Sequence, residues 1–282
     1  MEKQKRVLAI HDISCIGKCS LTVALPIISA TGIEVSVLPT ALLSAHTGIE
    51  GYTYKELTSD MMPIVNHFKQ TGVSFDAIYT GFLGSYSQLN IILQIFDMFK
   101  TDNSLIMVDP VMADNGKLYN VYDKRFASGM KELIKMADII VPNITEAAML
   151  TGEKYKKGPY TLAYIENMVN KLAKFGSKKI VLTGVYFDDK QMGVAIFDSK
   201  KNNIEYVLSD NIKGFYHGTG DVFASSLLAA VLKGKSLSDS AKIAVDFTVS
   251  SILRTDKADL RFGVNFEAGL GKLISDINNK QI

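Results

Sequence analysis

A short segment in the last third of the chain, Gly218-Thr219-Gly220-Asp221, carries the residue types best suited to chemistry. Two glycines let the backbone approach an anion closely, and the first amides of a following helix would point at that anion with the positive end of the helix dipole. Such a site suits the charge of a transferring phosphoryl group, and Asp221 could accept a proton from an attacking hydroxyl. The same residues could also form only a tight turn with Asp221 as a helix N-cap, and the tetrapeptide alone does not separate the two interpretations.

Further polar side chains follow apolar runs that are typical of strands. They are Asp109, Asp114, Asn143, Glu146, Thr183 and Gly184. Carboxylates are the hard oxygen ligands that Mg²⁺ needs where it bridges phosphates, directly or through water, and the Thr183 hydroxyl could meet a phosphate. Each has a structural alternative, since Asp-Asn-Gly at 114–116 is strong turn chemistry and Asn143 with Glu146 could simply cap a helix. Their order along the chain favours one site over a series of unrelated turns.

The elements that would position these side chains alternate along the chain. Strands are expected over residues 6–10, 33–38, 77–79, 105–108, 138–141 and 180–182, with helices near 18–30, 53–71 and 88–99 between them. A hairpin (192–197 with 204–208) and helices near 221–232, 237–253 and after Phe266 follow. This alternation predicts an α/β fold with a mostly parallel sheet that is covered on both faces, and ligands bind outside the carboxyl ends of such strands. No linker or repeat interrupts the pattern, so we expect one domain over residues 1–282.

Composition excludes several functional classes. The 282 residues are 47% hydrophobic and 21% charged, with a net charge of only +2 and scattered lysines, so no nucleic-acid-binding surface is indicated. No segment predicts a membrane span or a signal peptide, and a cytoplasmic location is expected. Cys15 and Cys19 are too few and too close for a disulfide framework, and with His11 they lack a fourth zinc ligand. The segment around Lys18 lacks the first glycine and the hydroxyl residue of a P-loop.

Taken in order, these motifs resemble the ribokinase-like superfamily, and the N-terminal half resembles its pyridoxal/pyridoxamine kinase branch. The superfamily motifs are Asp109-Pro110-Val111-Met112, Pro142-Asn143-Ile144-Thr145-Glu146, Thr183-Gly184 and Gly218-Thr219-Gly220-Asp221-Val222-Phe223. The branch motifs are Ala9-Ile10-His11-Asp12 with Gly17, Ser44-Ala45-His46-Thr47-Gly48 and Gly81-Phe82-Leu83-Gly84-Ser85.

The resemblance implies a three-layer α/β/α domain, usually dimeric, that transfers the γ-phosphoryl group of ATP to the 5′-hydroxymethyl group of pyridoxal, pyridoxine or pyridoxamine. It implies that Asp221 is the base, that Gly218, Thr219 and Gly220 form the anion hole, and that Mg²⁺ and a monovalent cation such as K⁺ lie near Asp109, Asp114 and Glu146. By the same resemblance ATP contacts Asn143, Glu146, Thr183, Gly184, Gly218 and Gly220. The substrate ring would lie among Asp12, Cys19, His46, Thr47 and Phe82. The substrate site would come mainly from residues 1–120 and the nucleotide site mainly from 140–282.

Several positions depart from the family pattern, in which many members have Ser at Asp12, Tyr at Phe82, Asn at Ala45 and Gly at Ala113. These differences leave phosphoryl transfer intact and concern the choice of vitamer. The alternative within the superfamily is hydroxymethylpyrimidine (phosphate) kinase, which commonly has Cys in place of the base, so Asp221 favours the pyridoxal branch. A non-catalytic binding protein of the same fold would not be expected to keep Asp221 and the carboxylates.

Overall fold

A computed structural model describes residues 3–256 and 260–279 of the chain. The strands in these residues are β1 (Arg6–Ser14), β2 (Glu34–Leu43), β3 (Tyr54–Glu56), β4 (Ala77–Thr80), β5 (Leu105–Val108), β6 (Ala113–Asp114), β7 (Lys117–Leu118), β8 (Ile139–Ile140), β9 (Lys179–Val185), β10 (Gln191–Asp198) and β11 (Asn203–Asp210). The α-helices are α1 (Leu21–Ala30), α2 (Thr58–Gln70), α3 (Tyr86–Phe99), α4 (Lys124–Met136), α5 (Ile144–Thr151), α6 (Leu162–Ala173), α7 (Thr219–Leu232), α8 (Leu237–Arg254) and α9 (Leu270–Asn278). Two short 3₁₀ helices, Leu260–Phe262 and Glu267–Gly269, precede α9.

One large sheet organises the molecule. Its order is β11-β10-β9-β8-β5-β4-β1-β2-β3, and the strands from β9 to β2 are parallel to their neighbours. The antiparallel strands are β10 and β11 at one edge and β3 at the other. The predicted mostly parallel sheet and the terminal hairpin are therefore confirmed.

The two faces of this sheet are buried in separate hydrophobic cores. Leu8 and Ile10 of β1 pack with apolar residues of α2 to α6, whereas Val7 of the same strand packs with those of α1, α7, α8 and α9. Alternate side chains of a strand point to opposite faces, so a strand buried on both sides reads as a continuous apolar run. The expected three-layer α/β/α arrangement is thus confirmed. Among the described residues, no helix combines the length and apolar character that a bilayer crossing requires.

The helix predicted over residues 53–71 is wrong in its first turn. Tyr54–Glu56 is an edge strand that pairs antiparallel with residues 41–43 of β2, and the helix begins only at Thr58. Tyr and Thr favour strands, and the extended β2 offers an unpaired edge, so cross-strand pairing outweighs local helix propensity here.

The first helix also begins later than predicted, at Leu21 instead of residue 18. Ser20 precedes it with φ 50° and ψ −128°, a backbone conformation outside the helical region. The first strand is longer than predicted and runs to Ser14, so His11 lies within the strand and not at its end.

Candidate active site

A cleft of about 820 Å³ lies where the carboxyl ends of the parallel strands meet the start of α7. Every residue that the sequence analysis selected lines it: Asp12, Cys19, His46, Thr47, Phe82, Asp109, Asp114, Asn143, Glu146, Thr183, Gly184, Gly218, Thr219, Gly220 and Asp221. Parallel strands end at the same edge of a sheet, and this geometry brings together residues as distant in the chain as Asp12 and Asp221. The structure therefore places the selected residues in one cavity; their individual roles stay predictions.

The glycine-rich segment starts α7, with Gly218 as the N-cap residue in a left-handed conformation (φ 73°). A Cβ at Gly218 would lie 1.8 Å from the carbonyl oxygen of Lys18, so only glycine fits there without displacing the backbone. A Cβ at Gly220 would meet no heavy atom within 4 Å. Glycine is therefore required at position 218 because the backbone of Lys18 packs against it, whereas Gly220 leaves open space at the start of α7.

Asp221 lies in the first turn of α7 and is not its N-cap, so the alternative that assigned it a capping role is wrong. The pKa of Asp221 is raised to about 7, chiefly by burial; a hydrogen bond from the backbone amide of Ser20 opposes this shift, and the nearby Asp12 carboxylate adds to it. Near neutral pH a substantial fraction of Asp221 is ionised and can accept a proton.

Asp109 and Glu146 lie close together beneath the cleft, and both are buried. The pKa of Asp109 is raised well above its usual range, first by burial and then by the charges of Glu146 and Asp221. Burial also raises the pKa of Glu146, although its carboxylate accepts hydrogen bonds from the backbone amides of Met112 (3.1 Å) and Asn143 (2.9 Å). A cation between these carboxylates would relieve their mutual repulsion.

Asn143 and Glu146 form a capping box at the start of α5, so the capping interpretation of this pair is right. The Asn143 side-chain oxygen accepts from the Glu146 amide at 3.0 Å, and its amide nitrogen donates to the carbonyl of Ala113 at 2.9 Å. The side chain of Asn143 is therefore already engaged within the protein, and its predicted contact with ATP would have to be made in addition to these bonds.

Asp114 lies at the tight turn that joins β6 to β7, and the turn interpretation of this segment is also right. Asn115 and Gly116 have φ values of 49° and 79°, the positive pair that a two-residue hairpin turn requires. The Asp114 carboxylate accepts hydrogen bonds from the backbone and side chain of Asn115 at 2.8 and 3.0 Å. Among residues 3–256 and 260–279, no three His, Cys, Asp or Glu side chains converge on one metal position, so Asp109, Asp114 and Glu146 do not form a protein cage.

Thr183 and Gly184 lie near the end of β9, where its pairing with β10 shifts register. Gly184 has φ 75°, and Thr183 forms an isolated bridge with Asn143 of the neighbouring segment. The irregularity turns this stretch of backbone toward the cleft, beside the start of α5.

On the opposite side of the cleft, Asp12 is buried and accepts a hydrogen bond from the Ser14 hydroxyl at 3.1 Å through one oxygen. Its other oxygen has no hydrogen-bond partner among the described residues. Burial raises the pKa of Asp12, and the Ser20 and Ser14 hydroxyls lower it. Burial and then the charges of Asp221 and Asp12 raise the pKa of the Cys19 thiol, which therefore stays protonated.

His46 and Phe82 present ring faces to the cleft. Both ring nitrogens of His46 are occupied, since Nδ1 accepts from the backbone amide of Gly48 at 3.1 Å and Nε2 lies 2.5 Å from the carbonyl oxygen of Arg261. The Phe82 ring is buried against Tyr122, with centroids 5.8 Å apart. Thr47 is exposed at the rim.

His217 and Ser20 are among the lining residues of this cleft that sequence reasoning missed. His217 immediately precedes Gly218, and that adjacency was the available signal. Ser20 contacts two of the selected carboxyl groups, Asp12 and Asp221, but nothing in its local sequence marks it.

Comparison with known proteins agrees with this geometry. Residues 33–265 match the family described as phosphomethylpyrimidine kinase. A Bacteroides thetaiotaomicron protein, named a candidate phosphomethylpyrimidine kinase and crystallised with pyridoxal, is 34% identical over 99% of this chain and 97% of that one, with a TM-score of 0.91. The pyridoxal kinase of Lactobacillus plantarum is 30% identical over 97% of this chain and 98% of that one, with a TM-score of 0.89. The pyridoxal kinase of Dictyostelium discoideum is 29% identical over 242 residues, which are 80% of this chain and 78% of that protein. The chain therefore belongs to the phosphomethylpyrimidine kinase family, and its resemblance to the pyridoxal kinases of the ribokinase-like superfamily is confirmed.

Proposed function

We propose that this protein transfers the γ-phosphoryl group of ATP to the 5′-hydroxymethyl group of B6 vitamers. The observation that carries the proposal is Asp221, a buried carboxyl group with a pKa of about 7, placed in the first helical turn directly after the Gly218–Gly220 backbone. A base beside a set of helix N-terminal amides is the arrangement that phosphoryl transfer to an alcohol requires. The pyridoxal in the crystal of the Bacteroides relative supports a pyridine substrate.

In the proposed reaction the 5′-oxygen of the vitamer attacks the γ-phosphorus of ATP. Asp221 takes the hydroxyl proton as the new P–O bond forms, and ADP leaves with the electron pair of the bond that breaks. The first amides of α7 lie at the positive end of the helix dipole and stabilise the charge of the transferring group. The open space beside Gly220 lets that group approach the backbone closely.

The donor set of the cleft fits Mg²⁺ bound together with the phosphates of ATP. The charge of Glu146 makes Asp109 harder to ionise, and the charge of Asp114 does the same to Glu146; a cation would lower both costs, and all three side chains offer oxygen ligands. Mg²⁺ keeps several waters and rarely needs an all-protein cage, in keeping with the dispersed positions of Asp109, Asp114 and Glu146. Magnesium supplies charge neutralisation at the β- and γ-phosphates when bound. A monovalent cation such as K⁺ in the same acidic region is part of the proposal.

The test is an ADP-release assay with purified protein and MgATP. Pyridoxal, pyridoxine, pyridoxamine, hydroxymethylpyrimidine and ribose serve as separate acceptors. We expect turnover with the B6 vitamers and none above background with ribose. No turnover with any vitamer would overturn the substrate assignment.

Hydroxymethylpyrimidine is the second candidate acceptor, because a relative from Aquifex aeolicus, 26% identical over 62% of this chain, is named a hydroxymethylpyrimidine/phosphomethylpyrimidine kinase. It carries a hydroxymethyl group on a six-membered nitrogen ring and would meet the same Asp221. A kcat/KM higher for hydroxymethylpyrimidine than for every vitamer would assign this alternative.

We further propose that the protein is a cytoplasmic homodimer. The support for a dimer is the resemblance to a usually dimeric family, together with exposed apolar side chains, Leu42 and Tyr54, on the paired strands β2 and β3 at one edge of the sheet. Light scattering on the purified protein should give twice the mass of the 31.0 kDa chain. A monomeric mass would contradict this part of the proposal alone.

A further inference from the structure

His217 lies at the junction between the two sides of the cleft. Its ring is 4.4 Å from that of His46 and 4.8 Å from that of Phe215, measured between centroids. It also covers Gly48, where an added Cβ would come within 2.5 Å of the His217 ring. The imidazole therefore connects the loop that holds His46 to the residue that caps α7.

The two histidines of this pair differ in what their nitrogens do. Both nitrogens of His46 are occupied by the backbone of Gly48 and Arg261, which fixes that ring in place. The ring of His217 makes no hydrogen bond to any residue in 3–256 or 260–279, and it lines the cleft at intermediate exposure. Its nitrogens can thus bond to a ligand in the cavity.

We propose that His217 recognises the substituent at position 4 of the B6 vitamer ring through a hydrogen bond from a ring nitrogen, and so acts as a specificity-determining residue. This inference rests on the proposed function. His217 is joined directly to Gly218, so a substrate whose 5′-hydroxymethyl group reaches the start of α7 has one of the two neighbouring ring positions, 4 or 6, beside the same segment. Position 6 carries only hydrogen, so a polar imidazole matches position 4. Position 4 carries the group that distinguishes pyridoxal, pyridoxine and pyridoxamine.

The chemistry of the imidazole suits all three substituents. Burial, and then the neighbouring His46, lower the pKa of His217, so the ring is neutral at pH 7. A neutral imidazole has one N–H donor and one lone pair. The donor can serve the aldehyde oxygen of pyridoxal, and the lone pair can accept from the alcohol of pyridoxine or the ammonium group of pyridoxamine.

The experiment compares two substrates and three proteins. Pyridoxine has a hydroxymethyl group at position 4, and 4-deoxypyridoxine has a methyl group there, while both keep the reacting 5′-hydroxymethyl group. The proteins are the wild type, His217→Phe, which keeps an aromatic ring against His46 without its nitrogens, and the control His67→Phe, at an exposed position on α2. The measured quantity is the ratio of kcat/KM for pyridoxine to kcat/KM for 4-deoxypyridoxine.

We expect the wild type and His67→Phe to prefer pyridoxine by about threefold to tenfold, the factor that one net hydrogen bond provides. His217→Phe should bring the ratio near unity and leave KM for ATP unchanged. His217→Gln, which restores a donor and an acceptor, should recover part of the preference and provides the comparison if the Phe variant does not fold.

Two results would overturn the inference while leaving the proposed function standing. One is a wild-type enzyme that phosphorylates both substrates with equal kcat/KM. The other is a His217→Phe variant that changes kcat/KM for both substrates by the same factor, since His217 would then only line the pocket. Failure of the wild type to phosphorylate either compound would instead refute the proposed function.

Discussion

Replacement of Asp221 by Asn should change activity and stability in opposite directions. The carboxyl group is buried in the cleft, and its pKa is raised from 3.8 to about 7. A raised carboxyl pKa means that the folded protein favours the protonated form, so ionisation at higher pH costs folding free energy. Asn has nearly the same shape and cannot ionise, and the variant therefore escapes this cost.

The size of the stability effect follows from the pKa difference between the folded and unfolded chain. Each pKa unit corresponds to about 1.4 kcal/mol, so a shift from 3.8 to about 7 means that the ionised Asp221 lowers the free energy of unfolding by roughly 4 kcal/mol. The sign follows from the unfolded state, which loses its proton near pH 3.8, whereas the folded state holds it until about pH 7. Wild-type stability should therefore fall as pH rises between these values. The Asn variant should be more stable than wild type above pH 7, and the difference should vanish near pH 4.

Turnover should fall in the Asp221→Asn variant, although its stability above pH 7 should rise. Loss of the general base should lower kcat by about 10²–10⁴ with little change in ATP binding. Urea unfolding at several pH values and ADP release provide the two measurements, with Asp246→Asn on the exposed side of α8 as the control. Near-wild-type turnover, or a variant less stable than wild type at pH 8, would show that Asp221 only stabilises the start of the helix and would refute the reasoning.

Three further predictions concern the same cleft. The kcat/KM of the wild type should rise as pH passes through about 7, because Asp221 accepts a proton only when ionised; a profile that is flat from pH 5 to 8 would contradict this. Gly218→Ala should lower the melting temperature, because its Cβ would lie 1.8 Å from the Lys18 carbonyl, whereas Gly220→Ala should melt like wild type and lose turnover, because its Cβ would occupy only open space in the cleft. EDTA should abolish turnover and added MgCl₂ should restore it, and activity that persists in EDTA would refute the role of Asp109.

Strand periodicity and the polar strand ends were enough to predict the sheet and its carboxyl edge. A short apolar run such as residues 105–108 indicates a strand that is buried on both faces, and in the structure this run forms β5. The segment 53–57 was harder because a polar and aromatic sequence suits either the first turn of a helix or an edge strand. Whether this segment forms a strand or a helix depends on pairing with β2, which lies more than ten residues away in the chain. The local sequence gives no sign of that pairing.

Residues of the candidate site could be predicted from the sequence where the chemistry requires a particular residue type. They could not be predicted where the residue type is required by packing against a distant part of the chain. Asp221 and the glycines before it have a chemical signature within four residues. The need for glycine at 218 has a different origin, the carbonyl of Lys18, which lies 200 positions earlier in the chain. His217 was overlooked for a similar reason, since its significance comes from the ring of His46 on another loop and from nitrogens that bond to none of the residues that the structure describes.

The acidic groups of the cleft lower the stability of the folded protein when they are ionised. Burial raises the pKa of Asp109, Glu146 and Asp221, and in Asp109 the charges of the other two add to the shift. A protein under selection for stability alone would gain by replacing any of them with a neutral side chain, because each ionised carboxyl group weakens the fold. Their coexistence is explained by ligands that supply a cation and donate a proton, as a nucleotide-bound magnesium ion and an alcohol together do. The burial of three acidic groups in one cleft therefore supports the proposal that the cleft binds a magnesium nucleotide.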